Sequence, residues 1–186
     1  MSLLTIHPEN RPDDAEVIRE PEAIAQKLWE IGVLFERWTA DRELSPDADQ
    51  ESIIAAYRES IDRLIDRYEF RSVDVVSIRP DHPQKAELRA MFLNEHMHDD
   101  FEVRFFVDGR GLFYLHPNDK VYVLLCEQGD LISVPANLKH WFDMGENPHF
   151  TAIRLFTTPD GWKARFTDSG IASTFPSFEQ FLTRYV

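Results

Sequence analysis

The chain has 186 residues, 43% hydrophobic and 12% aromatic, enough apolar side chain to bury a core in one domain. Its 33 acidic residues against 20 Lys and Arg leave a formal net charge of −13, which repels phosphate backbones and anionic lipid surfaces and so argues against nucleic acid or membrane as a partner. The single cysteine, Cys126, excludes an internal disulfide framework and a cysteine-based zinc cluster. No apolar run approaches the roughly 20 residues of a bilayer span, and Met1–His7 lacks the basic and apolar regions of a signal peptide, so a cytoplasmic protein is expected.

Residues 1–70 read as mostly helical. Pro21 suits a first helical turn and is followed by Ala23, Ile24, Leu28, Trp29 and Ile31, with Gly32 as a stop. Val33–Trp38 is a short β-prone run. From about Asp47 to Tyr68, the residues Ile53, Ile54, Tyr57, Ile61, Leu64 and Ile65 recur at three- and four-residue spacings behind an acidic opening turn, which predicts one amphipathic helix.

From residue 72 to 160 the texture is β. Strands are expected at Val73–Ile78, Leu88–His96, Phe101–Val107, Gly111–Leu115, Val121–Leu125, Asp130–Val134 and Phe150–Thr157. Pro80–Pro83 breaks the first of these. Asp108-Gly109-Arg110-Gly111 carries a hairpin-turn signal, as do Pro117-Asn118-Asp119 and Glu127-Gln128-Gly129-Asp130. Short strands with turns about every ten residues indicate a sandwich or barrel. The tail, 161–186, is mixed in character, and the whole chain, 1–186, reads as one domain.

Chemistry concentrates in Asn94-Glu95-His96-Met97-His98-Asp99-Asp100-Phe101-Glu102-Val103-Arg104. Strand side chains alternate between faces, so His96, His98, Glu102 and Arg104 share one parity. Two imidazoles and a carboxylate on one face can bind a metal, and His140, after a strand, a Gly129-Asp130 turn and Pro135, can return to join them. A His-x-His pair also serves as ordinary hydrogen-bonded core or surface. The carboxylate shifts that balance, because an unpartnered buried Glu102 would cost several kcal/mol. His7, His82, His116 and His149 are expected at the surface, and Cys126, among Val123-Leu124-Leu125, as a small buried hydrophobe.

The spacing His96-x-His98-x3-Glu102-x6-Gly109, followed by Gly129-x5-Pro135-x4-His140, resembles the paired motifs of the cupin superfamily. Within it the chain is most similar to the acireductone dioxygenase family, over Glu95–His98, Glu102–Arg104, Asp108–Gly111, Gly129–Ala136 and Ile153–Phe156, or about residues 85 to 163. Ala90, Asn137 and Met144 depart from the generic motifs, but none is a ligand position. The resemblance implies a mainly β fold with flanking helices, a cupin-type β-barrel of the double-stranded β-helix or jelly-roll kind with N-terminal helices. It also implies His96, His98, Glu102 and His140 as ligands of one Fe(II) or Ni(II) per chain, and an acireductone and dioxygen as substrates in methionine salvage. The iron form of the family yields formate and 4-methylthio-2-oxobutanoate; the nickel form yields formate, carbon monoxide and 3-methylthiopropanoate.

Four ligands close a tetrahedral zinc shell but leave two positions open around an octahedral metal, enough for a chelating enediolate. Three neutral imidazoles and one carboxylate leave a divalent metal one net positive charge, which attracts such an anion. Arg104 and Arg154 have the parity to reach it. Phe92, Phe142 and Trp162 are expected to wall the pocket around an apolar tail, with Phe106 on the same face as Glu102. A monomer suffices for this reading. Another cupin dioxygenase, a metal-dependent isomerase and a non-catalytic ligand-binding cupin are the alternatives.

Overall fold

The computed structural model describes residues 1–45 and 47–186. In chain order the elements are β1 (Leu3–Pro8), β2 (Glu16–Ile18), α1 (Pro21–Trp29), β3 (Leu34–Arg37), α2 (Gln50–Ala56), α3 (Arg58–Tyr68), β4 (Ser72–Ile78) and α4 (Lys85–Phe92). They continue as β5 (His96–Met97), β6 (Glu102–Leu115), β7 (Lys120–Glu127), β8 (Asp130–Val134), β9 (His140–Asp143), β10 (Phe150–Phe156), β11 (Arg165–Phe166), a 3-10 turn (Ile171–Thr174) and α5 (Phe178–Tyr185).

All strand pairs are antiparallel, and β6 belongs to both walls of a barrel. Its first half, from Glu102, pairs with β10 and β8, and β4 and β3 extend that wall outward. Its second half, to Leu115, pairs with β7 and β9, and the wall continues through β5 and β11 on one side and β1 and β2 on the other. The change of partner occurs at Gly109, beside a register shift against β10 between Thr151 and Ala152. Gly109 has φ +68°, and a β-carbon there would lie 1.9 Å from the His149 carbonyl oxygen. The bend therefore needs a residue with no side chain. The Asp108–Gly111 signal, expected to close a hairpin, instead bends one 14-residue strand.

The bend also resets which residues face inward. Before it, Val103, Phe105 and Val107 point outward and pack with Tyr57, Ile61 and Leu64 of the helical segment, while Phe106 faces the interior. After it, Phe113 and Leu115 face inward, and Leu112 and Tyr114 pack outward with Trp141 and Phe181 of α5. Helices thus cover the outside of both walls because both present buried apolar faces there. The interior cluster unites the walls through Phe106, Phe113, Phe142 and Phe150.

Several expectations change. Residues 1–70 are not mainly helical: β1, β2 and β3 lie there, and β1 pairs with β7 from Leu3↔Leu125 to Pro8↔Lys120. Leu3–Ile6 is buried on both faces, so it lacks the alternation that marks a half-exposed strand. The single helix expected over 47–68 breaks at Tyr57 (φ −109°, ψ 20°). Tyr57 leaves the helical conformation with its ring edge-on to Phe105 at 5.6 Å and its hydroxyl accepting from the Arg42 amide at 3.2 Å. The expected strand Leu88–His96 is mostly helix α4, consistent with the spacing of Leu88, Met91 and Phe92. The tail, unplaced from sequence, supplies β11 and the capped helix α5, whose Ser177 and Gln180 form a capping box.

Helices α4 and α5 are tied to β9 through fully buried Asp143. It accepts from Arg89 Nε and Nη2 at 2.8 and 3.0 Å, and from the amides of Phe178 and Gly145 at 2.8 and 2.9 Å. Replacing Gly109 with Ala should lower the unfolding free energy by about 2–4 kcal/mol in urea titrations, combining left-handed strain with the clash at His149. A loss under about 0.5 kcal/mol would show that the bend tolerates a side chain.

Candidate metal centre

Two short segments bring the histidines together. His96 lies on β5 directly opposite His140 on β9, and His98 follows two residues later. Ring centroids are 4.4 Å apart for His96–His140, 5.1 Å for His96–His98 and 5.2 Å for His98–His140. One ring nitrogen of each lies within 4.8 Å of the others, and all three residues are buried.

The opposite nitrogens are anchored. His96 Nδ1 donates to the Asn94 carbonyl at 2.8 Å, His98 Nδ1 to the Lys163 carbonyl at 3.0 Å and His140 Nδ1 to the Leu138 carbonyl at 2.8 Å. A carbonyl only accepts, so each Nδ1 carries the proton and a neutral ring keeps its lone pair at Nε2. Burial, reinforced by the neighbouring His96, pushes His140 down to about 3. Burial likewise lowers His96. Among the described residues, His140 Nε2 is buried with no hydrogen-bond partner.

Glu102 stands beside this group, 1% exposed. Burial opposes its ionisation, but Arg104, His98 and Arg154 together hold the carboxyl well below the usual carboxylate range. Oε1 accepts from Arg104 Nε at 3.1 Å and Nη2 at 2.8 Å, while Oε2 lies 3.3 Å from His98 Nε2 and has no hydrogen-bond partner among the described residues. Burial disfavours a charged His98, yet Glu102 outweighs it and raises that group. Two orphaned, buried, electron-donating atoms, Glu102 Oε2 and His140 Nε2, among inward imidazole lone pairs fit a divalent cation, which His96, His98, His140 and Glu102 could hold.

The site opens on a cavity of about 760 Å³. The structure places the expected Arg104, Arg154, Phe92, Phe142 and Trp162 all along its lining. Arg104 is wedged over the faces of Phe113 and Phe142, at 4.7 and 5.1 Å. Arg154 makes a two-point pair with Asp74 on β4, at 2.8 and 2.7 Å. Phe92 reaches the wall from helix α4, not from the expected strand, and meets Phe142 edge-on at 6.2 Å. Trp162 is half exposed at the mouth. Phe106 faces inward as expected but is buried against Phe113, Phe142 and Phe150.

Phe113, Met91 and Phe166 also line the cavity without having been singled out. The signal for Met91 is the helical spacing of 88, 91 and 92, which runs against the strand expected there. Phe113 depended on the parity reset at Gly109. His82, expected at the surface, borders the cavity, and His149 is exposed as expected. His7 and His116 are instead buried: His7 Nε2 lies 2.8 Å from Thr5 Oγ1, and His116 Nδ1 lies 2.5 Å from Glu95 Oε2. Cys126 is fully buried, and burial pushes its thiol well up, so it is an inert core residue.

Comparisons with known proteins agree with this geometry. The model of the ARD/ARD' family matches residues 4–164. Acireductone dioxygenase from Methylococcus capsulatus is 62% identical over all of both chains, and that from Aquifex aeolicus is 58% identical over 97% of this chain and 98% of its own. The structure of acireductone dioxygenase from Bacillus anthracis, with a cadmium ion in its active centre, superposes with a TM-score of 0.78. It is 31% identical and covers 89% of this chain and 98% of its own. Full-length likeness in sequence, the same cupin-type barrel and a buried three-histidine cluster at its floor converge on one assignment: the chain belongs to the ARD/ARD' family of acireductone dioxygenases.

Proposed function

We propose that the chain cleaves an acireductone with dioxygen, using one divalent ion, iron(II) or nickel(II), held by His96, His98, Glu102 and His140. The observation that carries this reading is the donor set: three inward imidazoles, fixed in one tautomer, beside a buried carboxylate oxygen with no hydrogen-bond partner among the described residues. Once bound, the ion supplies a Lewis-acidic point at which two neighbouring oxygens of an enediolate can chelate.

The chain's own residues do the rest. The backbone carbonyls of Asn94, Lys163 and Leu138 keep the imidazoles oriented, with Nδ1 turned away and Nε2 toward the centre. Arg104 has five N–H groups, and the two hydrogen bonds it gives to Glu102 leave others to meet developing negative charge on the substrate. Arg154 adds positive potential from the adjacent strand while its fork is held by Asp74. Phe92, Phe142 and Trp162 exclude water and take the apolar tail. The family resemblance assigns the keto acid and formate to the iron form, and carbon monoxide, formate and the shorter acid to the nickel form, within cytoplasmic methionine salvage. Both metals accept the same ligands, so the metal loaded decides the product.

Among the described residues, no helix is long and apolar enough to cross a membrane. Apo-protein reconstituted anaerobically with iron(II) or nickel(II) should consume oxygen when given an acireductone and switch products with the metal. Tight metal binding without oxygen uptake would reject this reaction and favour another cupin activity or a binding role. His96→Ala and His98→Ala should each lose bound metal and turnover while keeping the far-UV circular dichroism of the parent; unchanged metal content would remove the ligand assignment. Arg104→Ala should retain metal but lose about 10²-fold or more in kcat/KM, as expected when a group stabilising developing charge is removed. A value within about twofold of the parent would deny Arg104 that role.

A further inference from the structure

Of the three imidazoles, His96 and His140 are anchored by carbonyls two residues away in their own segments, Asn94 and Leu138. His98 is anchored by Lys163, 65 residues away in sequence. Local geometry supplies the first two anchors. The third exists only if the chain leaving β10 is held in place over the cavity, where Trp162, Lys163 and Phe166 lie along the lining.

One carboxylate gathers that chain. Asp100, 9% exposed, lies between His98 and Glu102. Its Oδ1 accepts from the Phe101 amide at 2.7 Å and from Thr157 Oγ1. Its Oδ2 accepts from the Thr158 amide at 2.8 Å and from Thr158 Oγ1 at 3.1 Å. Gly161 closes the same turn: a β-carbon there would lie 2.3 Å from Asp100 Oδ2 and 2.7 Å from Phe156 Cβ. From this turn the Lys163 amide donates to the Asp160 carbonyl at 3.0 Å, and the Lys163 carbonyl then meets His98 Nδ1. A carboxylate suits this place because it accepts four hydrogen bonds and donates none; an amide of the same shape would turn N–H groups toward some of those donors.

We propose that Asp100 is a positioning residue: by holding the Thr157–Gly161 turn it sets the Lys163 carbonyl that orients His98 and seats Trp162 at the cavity mouth. It touches no reacting atom and acts only through these neighbours.

The test compares Asp100→Asn with Gly161→Ala, which disturbs the same turn without removing the carboxylate, and with Thr158→Ser, which keeps both donors. Nickel(II) affinity, measured by chelator competition without substrate, should weaken about tenfold or more in the first two variants and stay at the parent value in the third. At saturating metal, the KM for an acireductone should rise about tenfold in Asp100→Asn with kcat within about threefold, because mass action restores the ion but not the mouth. Parent-like nickel affinity in folded Asp100→Asn and Gly161→Ala overturns the proposal. If Asp100→Asn does not fold, Gly161→Ala decides alone by the same measure. The kinetic arm rests on the proposed function, whereas the affinity arm does not, so a parent protein that turns over no acireductone rejects that function and leaves Asp100 to be judged on metal affinity.

Discussion

A strand alternates its side chains between two faces, and in this protein one strand must serve two walls of a barrel. Strand β6 does so by bending at Gly109, where positive φ and the approach of the His149 carbonyl exclude any side chain. The bend shifts the inward parity from even to odd positions. Glu102 and Arg104 before it, and Phe113 after it, therefore face one interior. Without that shift the strand could not present the carboxylate and the aromatic wall that supports Arg104 to the same cavity. The outward positions follow from the same reset, so the helical segment near residue 57 packs on one wall and α5 on the other.

The site's electrostatics run against those of the whole chain. A protein with a net charge of −13 lines its cavity with Arg104 and Arg154. These two residues are direct cross-strand partners, an arrangement that like charges disfavour. Each is offset by its own carboxylate, Glu102 for Arg104 and Asp74 for Arg154. The result is two ion pairs side by side across three strands, each holding its arginine oriented toward the cavity. Glu102 meets Arg104 through one oxygen and keeps the other beside the histidines.

Order in the metal centre comes from outside the donor set. Two imidazoles rely on carbonyls of their own segments, and the third relies on a segment brought back after the last long strand. That difference in anchoring makes the loop holding Asp100 and the tail that crosses the mouth part of the same construction. The buried Asp143 cluster acts comparably behind His140, tying strand β9 to two helices. Both arrangements use an acceptor-only side chain to gather several donors at one point.

Much of the proposed donor set was legible in the chain itself. The spacing of His96, His98 and Glu102, the turn before His140 and the parity of Arg104 and Arg154 are local patterns, and local patterns survive whatever packs around them. The same holds for α1, β3, β8 and β10, each bounded by its own turn or stop residues. Among the features that were not legible are the buried β1, the break at Tyr57, the helix at 85–92 and the continuity of β6 through Gly109. In each, a local signal was ambiguous and a distant partner decided it: β7 for β1, Phe105 for Tyr57, the barrel interior for Phe92, and His149 for Gly109. The sequence by itself determined which residues could bind a metal and stabilise an anion, because side-chain chemistry and short spacing are written locally. Only the tertiary structure decided how those residues are oriented and enclosed, because the Lys163 carbonyl behind His98 and the bend that aligns β6 arise from contacts between segments far apart in the chain.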